Sequence, residues 1–312
     1  MRAQWIASPA ATARIAARLA AVLAAPVAAY EPFLVEDRIV GWVTPERARR
    51  LARWSEVFER SELGVECAPR LHTTEARTAA LAGIAQTLCA EGALTGWREE
   101  RYAVAADPGA PPLFELERAA ARYFGIHTFA AHANGLVGAE DGWRMWLARR
   151  SPTKAIDPGL LDNLVGGGIA SGTTFAETII REAREEAGVG EDIAGHARCA
   201  GVVEICRDVR EGLQCETIYV HDFWLPPDFV PVNEDGEATE HRLCLPEDVL
   251  SVLAGDDITG DASLVIVDLL LRHGCVAADD PSFAALQALR HPSVLAPQSD
   301  PAARRCTGRA NG

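Results

Sequence analysis

Lysine is nearly missing from this chain: Lys154 is the single one among 312 residues, and every other fixed cation is an arginine. Basic residues of either kind are scarce, 30 Lys and Arg against 44 Asp and Glu, for a formal charge of −14. A surface that tracks nucleic-acid phosphates needs clustered cations, so that class of partner is excluded. An anionic small molecule must then arrive with a metal ion or meet a local basic patch. No apolar run reaches the ~18 residues of a bilayer span, which excludes a helical membrane anchor. Cys-x-x-Cys pairs are also missing. The cysteines, at 67, 89, 199, 206, 215, 244, 275 and 306, follow no regular spacing, which excludes a zinc ribbon or disulfide framework and predicts reduced thiols in a cytoplasmic protein. The first thirty residues hold no acid, with Arg2, Arg14 and Arg18 among alanines. A transit peptide has that composition; an amphipathic helix in an Ala- and Arg-biased chain is the simpler reading.

The length allows two ordinary domains. After the first helix, Phe33-Leu34-Val35 and Ile39 to Val43 cluster like strands around a turn at Glu36-Asp37-Arg38. Thr44-Pro45-Glu46 opens a helix to about Trp54, with proline at its first position. A helix at 73–90, the segment Trp97 to Val104, a proline-bearing loop from Asp107 to Pro112 and a helix from Glu115 to Phe124 complete a small α/β domain over residues 1–122. The second domain, residues 123–292, begins with strands Phe129 to Val137 and Trp143 to Ala148 around the turn-rich Gly138 to Gly142. Further strands are expected at 198–206, 216–225 and 237–244, with an apolar helix at 261–273. Residues 293–312, rich in Pro, Ala, Ser and Arg, read as a poorly ordered tail.

The chemistry concentrates between Gly167 and Val189. Thr174 followed by Glu177 is a capping box and predicts a helix start. Phe175, Ile179, Ala183 and Ala187 mark its buried stripe, and Gly188 is a C-cap. Glu182, Glu185 and Glu186 then share one face. Beside a glycine-rich loop, such a face suits Mg²⁺, a hard cation that divides its oxygen ligands between carboxylates and substrate phosphates. The plainer alternative is a solvated helix with Glu177–Arg181 and Arg181–Glu185 pairs, each contributing only a few tenths of a kcal/mol.

The same stretch resembles the Nudix box: Gly, five residues, Glu, seven residues, Arg-Glu-apolar-x-Glu-Glu-x-Gly-apolar, met at every fixed position except Thr173, where the first Glu is usual. The resemblance implies an α/β/α sandwich with a mixed sheet, preceded by the small α/β domain, and hydrolysis of a diphosphate linkage by water. It implies metal ligation by Glu182, Glu185, Glu186 and the Gly167 carbonyl, with Mg²⁺ as cofactor and Mn²⁺ as a substitute. Arg181 would orient the carboxylates, and one of Glu185, Glu186 or Glu237 would take the water's proton. A noncatalytic diphosphate-binding module is the alternative that Thr173 supports.

Much of the remaining chain is similar to one Nudix subgroup, known alone or fused to thiamin pyrophosphokinase. The match rests on Gly41-Trp42-Val43 with Pro45, Trp97-Arg98 with Tyr102, Glu117-Arg118-Ala119-Ala120, Phe124-Gly125-Ile126-His127, His132-x-Asn134-Gly135, Trp146-x-Ala148-Arg149-Arg150-Ser151, Lys154, Pro158-Gly159-x-Leu161-Asp162-Asn163, Asp235-Gly236-Glu237 and Arg272-His273-Gly274. In that subgroup Ser or Thr at position 173 is usual, which leaves Arg181 to be held by Glu177 or Glu185. Arg149 and Lys154 resemble the diphosphate-holding pair of isopentenyl-diphosphate isomerases, whose catalytic cysteine would fall at Gly166, so the isomerase activity does not carry over. The implied substrate is thiamin diphosphate or its oxidised, damaged forms, with ADP-ribose or NADH as the competing class. His127 and His132 are expected as satisfied histidines rather than ligands, since Mg²⁺ prefers oxygen. Trp97, Trp143, Trp146 and Trp224 are expected in the core. The sequence leaves monomer and homodimer both open.

Overall fold

The computed structural model of the chain describes residues 5–105, 110–140 and 142–292. The 293–312 tail, Asp141 of the expected turn and residues 107–109 of the expected proline loop lie outside them.

Helix α1 (Pro9–Val22) is followed by β1 (Glu31–Val35), β2 (Arg38–Val43), α2 (Pro45–Leu51), β3 (Phe58–Arg60), β4 (Val65–Cys67), α3 (Thr74–Ala90) and the hairpin β5 (Arg101–Val104) with β6 (Phe114–Glu117). Strands order as β2-β1-β4-β3, with β1 and β4 parallel. Glu36 and Asp37, both at positive φ, make the tight turn between β1 and β2, where acidic side chains tolerate the left-handed region. Thr44 caps α2 through the Arg47 N–H, but that helix ends at Leu51, short of Trp54. Phe33, Phe58, Phe114 and Phe124 pack together in the centre of this region.

One expected helix is absent. Phe114–Glu117 is a strand, paired antiparallel from Val104↔Phe114 to Arg101↔Glu117; only a 3₁₀ turn at Arg118–Ala120 and one α-turn, α4 (Ala121–Phe124), follow. Phe114 and Leu116 alternate into the core, and the partner strand 101–104 supplies hydrogen bonds that no local pattern announces.

The remainder runs β7 (His127–Ala139), β8 (Gly142–Arg150), β9 (Leu161–Asp162), β10 (Val165–Gly168), α5 (Phe175–Ala187), α6 (Glu191–Ala194), β11 (Cys199–Val209), β12 (Gly212–Leu225), β13 (Ala238–Cys244), α7 (Pro246–Leu253), α8 (Gly260–Arg272) and α9 (Phe283–Leu289). The sheet orders as β11-β12-β7-β8-β13, with β10 added on β7 and β9 on β8. It is mixed, because β7 and β12 run parallel while the other pairs are antiparallel. Alternation along β7 sorts its two faces. Ala131, Ala133 and Val137 pack on Ile179, Ala183 and Ala187 of α5, and Ala130 packs on Leu264 and Val265 of α8. The result is an α/β/α sandwich. Helix α1 buries Ala11, Ile15 and Leu19 against this second region, in one core with α7, α8 and α9. No helix among the described residues is long and apolar enough to cross a membrane.

Candidate active site

The site begins where β10 runs out into the loop before α5. Thr174 accepts the Glu177 N–H at 3.2 Å and Glu177 accepts the Thr174 N–H at 2.9 Å, so both halves of the capping box form. Gly188, at φ 64°, closes the helix in the left-handed region that favours glycine. Between these ends, α5 lays its carboxylates on the glycine strand. Glu186 accepts the Gly166 N–H at 2.8 Å. Glu182 lies over Gly167 so closely that a Cβ there would fall 2.3 Å from Oε1.

Burial raises the Glu182 carboxyl above the ordinary carboxylate range even though Arg181 pulls it down. It raises Glu186 further, with the neighbouring Glu182 charge adding to the effect. Arg181 holds Glu182 at 2.6 Å and Glu185 at 3.0 Å. Glu177 is occupied at the cap, so of the two carboxylates expected to hold Arg181, Glu185 does so, joined by Glu182. Thr173 bonds back to the Ala170 carbonyl at 2.8 Å.

A second acidic group arrives from the 226–237 loop. Its main chain is tied to α5 by Glu234 N–H to the Glu185 carbonyl at 2.8 Å and Val232 N–H to the Ala187 carbonyl at 3.1 Å. Asn233 and Asp235 close the turn by accepting the Gly236 and Glu237 N–H groups at 2.7 and 2.8 Å. Carboxylate oxygens of Glu186, Asp235 and Glu237 thereby come within 4.8 Å of one another. An all-oxygen set around the half-buried Glu186 fits a hard divalent cation. Glu182 stands beside it and Glu185 is turned to Arg181. Asp235 was missed by the sequence reading, although it sits two residues before Glu237.

Beside this cluster lies a cleft of about 150 Å³ lined by Gly166, Gly167, Gly168, Arg150, Lys154 and, from the N-terminal region, Arg98, Tyr102 and Arg118. Lys154 forms an ion pair with Glu237, and Arg98 holds the same carboxylate at 2.9 Å. Burial lowers the Lys154 ammonium from its usual value. Arg149, expected as a phosphate ligand, binds Asp257 at 2.8 Å and Glu240 at 3.3 Å and does not line this cleft. Its neighbour Arg150 lines the cleft, held by Asp162 at 2.7 Å, because successive strand residues face opposite ways.

His132 Nδ1 pairs with Asn163 Oδ1 at 2.9 Å, and His127 Nε2 with Thr217 Oγ1 at 2.9 Å. Trp143 is buried, and Trp97 and Trp146 pack partly buried on their cores. Trp224 departs from expectation; it is 52% exposed, with its ring beside His273.

Residues 129–264 match the model of the NUDIX domain, and residues 17–128 that of a domain of unknown function, DUF4743. The chain is 36% identical to Nudix hydrolase 24, chloroplastic, of Arabidopsis thaliana over 81% of its own length and 70% of the relative's. It belongs to the Nudix hydrolases. Nudix hydrolase 20, chloroplastic, of the same plant is 34% identical over the same shares, 81% and 70%. The crystal structure of DR0079 from Deinococcus radiodurans aligns at TM-score 0.33 and 26% identity, covering 45% of this chain and 81% of that one. The chain is thus a diphosphate hydrolase of a family that generally uses divalent metal ions, and its α5 is the Nudix helix.

Proposed function

We propose that this Nudix hydrolase uses Mg²⁺, with Mn²⁺ as a substitute, to cleave thiamin diphosphate or its oxidised analogues to the monophosphate and phosphate. The observation that carries the reading is the meeting of the Glu186 and Glu237 carboxylates with the Lys154 ammonium in one small pocket, next to the cleft whose Gly167 lies under Glu182. The bound ion would neutralise charge developing on the diphosphate. Glu186 and Asp235 are the ligands the geometry favours, with Glu182 over Gly167 as the third candidate.

Arg181 fixes the direction of Glu182 and keeps Glu185 off the cluster. Lys154 and Arg150 hold phosphate oxygens, as charge-assisted donors do. Water attacks phosphorus, its proton passes to Glu186 or Glu237, and the bridging P–O bond breaks to release the monophosphate. Tied to Arg181, Glu185 is a weaker candidate for the proton. The irregular spacing of the cysteines supports a reducing compartment such as the cytoplasm.

Incubating the protein and Mg²⁺ with thiamin diphosphate, its oxidised analogues, ADP-ribose and NADH, and identifying the products, tests the substrate. Thiamin monophosphate with inorganic phosphate supports the reading. AMP from ADP-ribose or NADH, with thiamin diphosphate untouched, would move the enzyme to the nucleoside diphosphate class instead.

A further inference from the structure

The N-terminal region is built into the hydrolase cleft. Its β5–β6 hairpin seats directly on the loop before the Nudix helix: the Arg101 carbonyl accepts the Ser171 N–H at 2.7 Å, and Glu115 accepts the Ser171 hydroxyl at 2.6 Å. Tyr102 lies against Gly168 so closely that a Cβ at that glycine would fall 2.1 Å from the hydroxyl. Two arginines flank this seat. Arg98 precedes β5 and Arg118 follows β6, and both line the cleft with Lys154 and Arg150. The Glu117 carboxylate, 6% exposed, accepts the backbone N–H groups of Arg98 at 3.1 Å and Ala119 at 3.3 Å. One buried acid therefore fixes both arginine-bearing segments relative to each other.

These cations are balanced unevenly. Arg150 has Asp162 and Arg118 has Glu100, each at 2.7 Å. Lys154 and Arg98 share the single carboxylate of Glu237. The same cleft is also lined by Asp157, Glu211, Glu216 and Asp261, while Arg98, Arg118, Arg150 and Lys154 share its lining with Gly166, Gly167 and Gly168.

We propose that Arg98 and Arg118 are diphosphate-binding residues, so that the N-terminal region supplies one wall of the substrate site and Lys154 with Arg150 the other. The proposal rests on the diphosphate reading above and deepens it. The incoming phosphates replace Glu237 as the partner of Arg98 and Lys154, which frees that carboxylate, already within 4.8 Å of Glu186 and Asp235, from its ion pairs.

The test uses the full chain and a methylene-bridged diphosphonate, a diphosphate that water cannot cleave, titrated calorimetrically with and without Mg²⁺. Arg98→Gln and Arg118→Gln should each weaken the probe about tenfold and raise KM more than they lower kcat. Arg101→Gln, on the same hairpin with its side chain pointing to solvent and Glu115, should leave both unchanged. Should Arg118→Gln fail to fold for want of its Glu100 pair, Arg118→Lys and the exposed Arg98 position still decide the matter. Probe affinity and KM within about twofold of wild type in both arginine variants, with wild-type hydrolysis intact, overturns this inference alone. A wild type that neither binds the probe nor hydrolyses any diphosphate overturns the functional reading with it.

Discussion

The Glu182 carboxylate fills the space that a side chain at Gly167 would take, with Oε1 2.3 Å from where the Cβ would stand. The glycine is there to let a metal-ligand candidate lie flat on the strand. Gly167→Ala should fold, because the atoms it displaces belong to a side chain rather than to backbone. Metal affinity, read by calorimetry with Mg²⁺ or Mn²⁺, should fall about tenfold or more, as when other supports of a metal ligand are lost. Unchanged affinity would separate Glu182 from the metal.

Glu186 predicts a proton linkage. Burial holds its carboxyl above the ordinary carboxylate range, so near neutral pH the empty site keeps a proton that a cation must expel. Metal affinity should rise with pH through the neutral range. Calorimetric heats should differ between buffers of different ionisation enthalpy, while buffer-independent heats would contradict the linkage. The metal-free protein carries the converse effect. A carboxyl raised in the folded state contributes stability that is full below its unfolded value and is lost as pH rises through the folded one.

His127 gives an independent pH signature. Burial lowers it to about 4, and its Nδ1 is buried without a partner. The unfolded chain takes up a proton near the ordinary histidine value of 6.5, so stability should fall between about 6.5 and 4 as pH drops, by about 3 kcal/mol at most. Urea unfolding at pH 7 and pH 5 measures this, and His127→Gln should flatten the slope.

Lys154 and Arg149 predict opposite kinetics. Lys154→Ala should raise KM about tenfold with a smaller change in kcat. Lys154→Arg should not restore it, because the side chain is only 11% exposed and a guanidinium needs a wider seat. Arg149→Ala should leave KM in place, since Asp257 and Glu240 hold that side chain.

Legibility followed the range of the forces involved. The Nudix helix was readable to its caps because Thr174, Glu177 and Gly188 act within a few residues of one another. Strands β7, β8 and β12 announced themselves by apolar runs. The Glu115–Phe124 helix was misread because pairing of β6 with β5 decides that segment, and periodicity over ten residues cannot show a partner. That Arg150 rather than Arg149 lines the cleft depends on which parity of the strand faces it, which sequence alone does not reveal. Arg98 and Arg118 lie within the matching motifs, yet nothing local in the sequence shows that a hairpin carries them to the cleft lined by Gly168. The placement of Asp235 likewise depends on a loop tied to α5 by its main chain.

The central claim is that Glu186 belongs to a metal centre that hydrolyses a diphosphate. Steady-state hydrolysis by wild type and Glu186→Gln, with matched circular dichroism and thermal unfolding, tests it most directly. The account predicts that kcat falls about a thousandfold or more, while Tm stays level or rises because a half-buried acid with a raised pKa has been removed. A folded Glu186→Gln enzyme that turns over its diphosphate at the wild-type rate would contradict it.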